Sequence, residues 1–103
     1  SYSASKAAMT HFSACAAMEG GPANVRVNAV VPGQVMTAAT EDWASKTPET
    51  AAKTAGAIPM QRGGQPEELA AAIVFLLSDA SSYITGVALP VDGGKAAQLY
   101  LPS

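Results

Sequence analysis

A chain of 103 residues has room for one compact domain and none for a second. With 49% hydrophobic and only 14% charged residues it is too apolar to be disordered, and so poor in charge that some apolar surface is expected to meet a partner. The net charge of −2, with no basic patch interleaved with aromatics, argues against nucleic acid as a ligand.

The first element is predicted as a helix from Tyr2 to Glu19, rich in Ala and Ser, which implies close backbone approach to whatever it packs on. Gly20-Gly21-Pro22 should stop it, with glycine taking the left-handed cap and proline unable to continue the helix. Cys15, flanked by Ala14 and Ala16, is expected to be a buried small residue. As the single cysteine it excludes an internal disulfide and fits a reducing cytoplasm. His11 has no second ligand at metal-binding spacing and is read as a packed or surface histidine. No apolar run is long enough for a membrane span, and no signal peptide is evident. Position 1 is serine rather than methionine, as expected of a processed, truncated or incompletely reported polypeptide.

Val25 to Val31 alternates and then meets Pro32-Gly33, which predicts a strand over 25–31. On it, Asn28 is expected to satisfy neighbouring backbone groups. Residues 34–64, punctuated by Pro48, Pro59 and Gly63-Gly64, predict short helices in a long mobile segment, in which Trp43 either lines a cleft or caps a core. Pro66 opens a further helix, with Glu67 and Glu68 suited to the positive end of its dipole and Leu69, Ile73, Leu76 and Leu77 forming an apolar stripe that ends near Ser78. Ile84 to Val91 reads as a second buried strand, closed by a turn at Asp92-Gly93-Gly94, and the tail 95–103 has no clear assignment. The fold class is therefore α/β: helix, strand, loop with helix, strand, a parallel βαβ unit of a larger Rossmann-like sheet. Two strands are too few for a parallel sheet, so completion by oligomerisation or by a missing N-terminal half is expected.

Tyr2 and Lys6 are four apart, which places both on one helix face. A free phenol titrates near ~10, but an adjacent ammonium and a helix N-terminus both favour phenolate, which makes it a usable general acid or base. The spacing alone favours a satisfied surface pair, since Tyr and Lys four apart occur by chance on many helices.

The ordered stretches YSASKAAM, VRVNAVVPG and QRGGQPEELAAAIVFLLSDASSYITGVALPVDGG resemble the C-terminal half of the short-chain dehydrogenase/reductase family over residues 1–94. The resemblance implies an alcohol/carbonyl oxidoreductase using NAD or NADP. In it, Tyr2 exchanges the proton at the substrate oxygen, and Lys6 binds the nicotinamide ribose and lowers the tyrosine pKa. Pro32 and Gly33 correspond to the turn beside the nicotinamide, Val35 to the residue whose backbone meets the carboxamide, and Thr37 to a hydroxyl that contacts the cofactor. Residues 38–60 correspond to the loop that covers the substrate, and the helix at 2–19 and the segment 66–91 to subunit contacts. The glycine-rich TGxxxGxG turn, the NAG strand motif and the catalytic serine of the family do not occur in these residues. The chain alone is therefore expected to be inactive, as the C-terminal portion of an enzyme, one half of a split oxidoreductase, or a self-assembling fragment.

Overall fold

A computed structural model describes residues 2–97 of the chain, with side chains from Ala4 onward. Helix α1 spans Tyr2–Gly20, strand β1 Ala29–Pro32, helices α2 and α3 Ala38–Lys46 and Pro48–Gly56, helix α4 Pro66–Leu77 and strand β2 Ala88–Val91. Short 3-10 turns occupy Gly21–Ala23, Asp79–Ser81 and Lys95–Ala97; the last covers the start of the tail, whose residues 98–103 lie outside the described residues. The α/β class and the parallel pairing of β1 with β2 agree with expectation. The described residues form two compact units, drawn from Ser1–Val31 with Ala71–Leu89 and from Pro32–Ala70 with Pro90–Ser103.

In the first unit, the small-residue face of α1 lies on the backbone at Gly86. A Cβ on Gly86 would come within 3.3 Å of Ala17 Cβ and 3.8 Å of Ala14 Cα, and Gly86 has φ +79°. Ser13 and Ala17, one turn apart on this face, are buried. Cys15 is two residues on from Ser13, about 200° around the helix, and is exposed, which corrects its expected burial. Its Sγ lies 3.6 Å from Nε2 of His11, also exposed. The stop after α1 also differs in detail. Gly20 keeps right-handed backbone (φ −82°) while Asn24 takes the left-handed cap at φ 60°, donating its N–H to Gly21 O. Gly20 is needed for space instead, because a Cβ there would meet Val25 O at 2.9 Å.

Both strands begin later than their valine patterns suggest. Ahead of β1 and β2 the chains are already side by side, but side chains carry much of the pairing. Val27 N–H donates to Thr85 Oγ1, and Asn28 donates to Ile84 O and accepts from Val87 N–H, each at 3.0 Å. Backbone bonds Gly86 N–H to Val27 O and Ala29 N–H to Val87 O complete the register. Asn28 thus satisfies neighbouring backbone, as expected for it.

α4 starts at Pro66 and ends at Leu77, where the guanidinium of Arg26 closes the exit. Its Nη2 donates to Ser78 O, and its Nη1 donates to Ser81 Oγ and Ile84 O, at 3.0–3.2 Å. Of the apolar stripe only Leu76 is buried; Leu69 is half-buried, and Ile73 and Leu77 are exposed along with Val74 and Phe75. The first unit therefore packs a small core of Ala17, Val31 and Leu76 and leaves most of α4 bare.

In the second unit the 34–64 segment does form short helices, α2 and α3, and neither contains a fully buried residue. Trp43 is half-buried on α2. The return from α3 is anchored at Ile58, the buried apolar residue of this unit. No helix among the described residues is long and apolar enough to cross a membrane.

Candidate active site

The expected site residues fall in two places. Tyr2 and Lys6 lie one turn apart along the backbone of α1, in the first unit. Lys6 is half-buried and its carbonyl accepts a hydrogen bond from Thr10 Oγ1 at 2.8 Å; the Tyr2 phenol lies outside the described side chains. Pro32, Gly33, Val35 and Thr37 follow one another from the end of β1 in the second unit.

The geometry of that strip follows from its neighbours. Pro32 ends the strand and is exposed, while Gly33 continues the pairing by donating its N–H to Val91 O at 3.0 Å. A Cβ on Gly33 would sit 2.7 Å from Asp92 Cβ, so only glycine lets this strand end lie against the Asp92 turn. Two residues on, Val35 forms a parallel bridge with Gly64, closed by Gly64 N–H to Gln34 O at 2.8 Å and Met36 N–H to Gly64 O at 2.7 Å. In such a bridge the central residue turns its own N–H and C=O away from its partner. On that far side, Val35 O is held by Thr40 Oγ1 at 3.0 Å and by Thr37 N–H at 3.1 Å.

Thr37 is the N-cap of α2. Its hydroxyl accepts from Thr40 N–H at 3.4 Å, while its own N–H donates to Thr40 Oγ1 at 2.6 Å. This reciprocal capping ties Val35, Thr37 and Thr40 into one rigid corner. Thr40 was not among the expected site residues, although the T-x-x-T spacing ahead of an alanine-rich helix carries the signal. Met36 and Gly63 were also missed; a Cβ on Gly63 would strike Met36 Sδ at 2.9 Å, a long-range contact that leaves no local pattern.

A charge pair braces the far end of the same segment. Arg62 donates to both carboxylate oxygens of Glu68 at 2.7 and 2.9 Å, and Gln65 N–H donates to Glu68 Oε1 at 2.9 Å. The Arg62 hydrogen bond first, and the Gln65 N–H second, pull the Glu68 pKa down from 4.5 to about 2. Arg62 is correspondingly raised.

Of the groups a dinucleotide would need at its nicotinamide end, the strip offers the Val35 N–H, directed away from Gly64 while the Val35 carbonyl is held by Thr40 and Thr37, and the exposed Thr37 hydroxyl. The glycine pairs do not fit the pyrophosphate end. Gly64 N–H is spent on Gln34 O, Gly63 is covered by Met36, and Gly20 and Gly21 follow a helix instead of a strand. Among the described residues no cluster of three or more metal-ligating side chains occurs.

A family model described as enoyl-(acyl carrier protein) reductase, of the short-chain dehydrogenase/reductase type, matches residues 1–96. The chain belongs to the short-chain dehydrogenase/reductase family. It is 48% identical over 94 residues to a 3-oxoacyl-[acyl-carrier-protein] reductase of Thermotoga maritima, covering 90% of this chain and 37% of that protein. It is 45% identical over 93 residues to an acetoacetyl-CoA reductase of Allochromatium vinosum, with 90% and 37% covered. Among solved structures, a Burkholderia thailandensis short-chain dehydrogenase/reductase superposes with TM-score 0.79 at 38% identity, covering 93% of this chain and 38% of that one. An Agrobacterium tumefaciens family member with bound NADP superposes with TM-score 0.76 at 33% identity, over 87% and 36%. The chain thus spans little more than a third of the length of these relatives.

Proposed function

We propose that these residues are the C-terminal portion of an NAD(P)-dependent alcohol/carbonyl oxidoreductase, with Tyr2 as proton donor or acceptor at the substrate oxygen. The observation that carries this reading is the order of Tyr2 and Lys6 on α1, then Pro32–Gly33, Val35 and Thr37, inside a family match that covers residues 1–96. Lys6, the backbone of Val35 and the hydroxyl of Thr37 hold the nicotinamide end of the cofactor, which when bound supplies or receives a hydride at the substrate carbon. Lys6 has a second role, since an ammonium near a phenol favours phenolate and lets Tyr2 transfer a proton at neutral pH. The Thr37–Thr40 corner fixes where Val35 presents its backbone. The relatives' names include reductases of carbonyl compounds and dehydrogenases of alcohols, which supports the alcohol/carbonyl class, and the NADP-bound structure supports a nicotinamide cofactor.

The test uses the complete gene product, with turnover of a ketone and cofactor binding measured separately. Tyr2→Phe is expected to lower kcat by about 10²–10⁴-fold, the usual worth of a positioned general acid, and to leave cofactor affinity near that of the parent. Lys6→Met is expected to weaken both. Parental turnover by Tyr2→Phe would overturn the assignment. Assayed as the 103-residue polypeptide alone, the chain is expected neither to bind nicotinamide nucleotides nor to turn over, because Gly64 N–H is spent on Gln34 O, Gly63 lies against Met36, and Gly20-Gly21 closes a helix instead of opening one.

A second reading concerns partners. Exposed Phe12 and Met18 on α1 and Val74 and Leu77 on α4 favour a chain that acts within a larger assembly, with further copies of itself and with a nucleotide-binding half.

A further inference from the structure

The turn Asp92-Gly93-Gly94-Lys95 touches both the strip described above and the root of the α2–α3 segment, and the contacts are specific on each side. Toward the strip, the Cα and Cβ of Asp92 lie directly beneath Gly33, where a Cβ would approach them at 2.9 and 2.7 Å. The Asp92 carboxylate fixes the turn itself, accepting from Gly94 N–H and Ala96 N–H at 3.0 Å each. Toward the segment, Gly93 and Gly94 have φ +65° and +96°, and Cβ atoms there would meet Ile58 Cγ2 at 2.8 Å and Pro59 Cβ at 3.1 Å. Gly93 O accepts from Met60 N–H at 3.1 Å, and Lys95 Nζ donates to Ala57 O at 3.3 Å. Ala57 is the C-cap of α3, so the ammonium sits on the negative end of that helix dipole, where a cation is favoured.

We infer that Asp92–Lys95 is a positioning clamp: it fixes the root of α3 at Ala57–Met60 relative to the Pro32–Gly33 turn, and so sets how tightly the α2–α3 segment holds substrate. Neither α2 nor α3 contains a fully buried residue, so the neck at Val35–Gly64 and this clamp are specific ties at the two ends of the segment. The clamp acts through the segment and touches no reacting atom. Its link to substrate rests on the oxidoreductase reading; its mechanical part does not.

The experiment compares the parent full gene product with Lys95→Met, Lys95→Arg and Gly93→Ala by hydrogen exchange and by steady-state kinetics with a ketone substrate. Lys95→Met removes one exposed tie without adding bulk. It is expected to speed exchange in peptides covering 48–60 while those covering 25–33 keep the parental rate. In kinetics it is expected to raise the substrate KM about three- to tenfold, the loss of one charge-assisted hydrogen bond, with kcat and cofactor affinity near parental values. Lys95→Arg should restore both, and Gly93→Ala should exceed Lys95→Met in both. Unchanged exchange over 48–60 in Lys95→Met and Gly93→Ala would overturn the clamp. Faster exchange with an unchanged KM, or a fall in kcat alone, would overturn its role in holding substrate. A parent with no turnover would defeat the oxidoreductase reading, and with it the link to substrate, while the exchange measurement still decides the clamp.

Discussion

Asn28 stands at the point where two chains come together before either is a regular strand. Its carboxamide replaces two ladder bonds, giving a donor to Ile84 O and an acceptor to Val87 N–H. An aliphatic residue of the same size would strand Val87 N–H in a half-buried place and leave Ile84 O to Arg26 alone. Asn28→Leu is therefore expected to lower stability by about 1–3 kcal/mol, seen as a lower denaturant midpoint with unchanged slope. Asn28→Asp should also destabilise, because it keeps the acceptor for Val87 but sets a carboxylate against Ile84 O. An unchanged midpoint in both variants would show that the ladder closes without the side chain. A related economy operates at Ser81. Its buried hydroxyl has one proton and three carbonyls within 3.1 Å, those of Phe75, Leu76 and Ser78, while it accepts from Arg26. The strand boundaries were not legible in the sequence for this reason. The alternation of valines marks where the chain is extended, but whether backbone or side chain makes the bond depends on Thr85 and Ile84, more than fifty residues away.

At the scale of elements, α4 was the most legible, since Pro66, the early acids and a period of 3.6 coincide. What the pattern did not disclose is that Glu68 serves the loop before the helix as much as the helix. It takes Gln65 N–H and both nitrogens of the Arg62 fork, tying Gly63-Gly64 to the first turn. Its pKa in the folded chain is depressed to about 2 from 4.5, so its contribution is complete above the ordinary value and is lost as pH falls through the folded one. Comparing the parent with Glu68→Gln in denaturant titrations should show a stability gap that is constant near neutral pH, narrows below 4.5 and closes around 2. A gap that persisted unchanged in acid would mean that the fork contributes packing and not charge. The site strip was legible only as far as its own residues. Pro32, Gly33, Val35 and Thr37 are expected there by resemblance alone, whereas the Met36–Gly63 and Gly33–Asp92 contacts that shape the strip join positions 27 and 59 apart, which no local window reports.

For the molecule as a whole, the decisive quantity is how little apolar surface is hidden. Among the described residues four hydrophobic ones are buried, Ala17, Val31, Ile58 and Leu76, while Phe12 is 66% exposed, Val74 64%, and Met18 and Leu77 79% each. Each such side chain forgoes about 1.5–3 kcal/mol that burial would return, so contact with another surface is strongly favoured. The sheet has two strands, and an unpaired strand edge also accepts another chain. The exposed apolar groups of α1 and α4 belong to the first unit, and the strip from Pro32 to Thr37 to the second, so charging the former leaves the strip's own contacts intact. Prepared alone, the polypeptide is expected to bind a hydrophobic dye and to show a light-scattering mass that rises with concentration across the micromolar range. Val74→Lys with Leu77→Lys should lower both signals without reducing helix content, since lysine is a good helix former and neither side chain is packed. A monodisperse monomer that binds no dye would show that these surfaces are tolerated in water, and the assembly reading would fall with it.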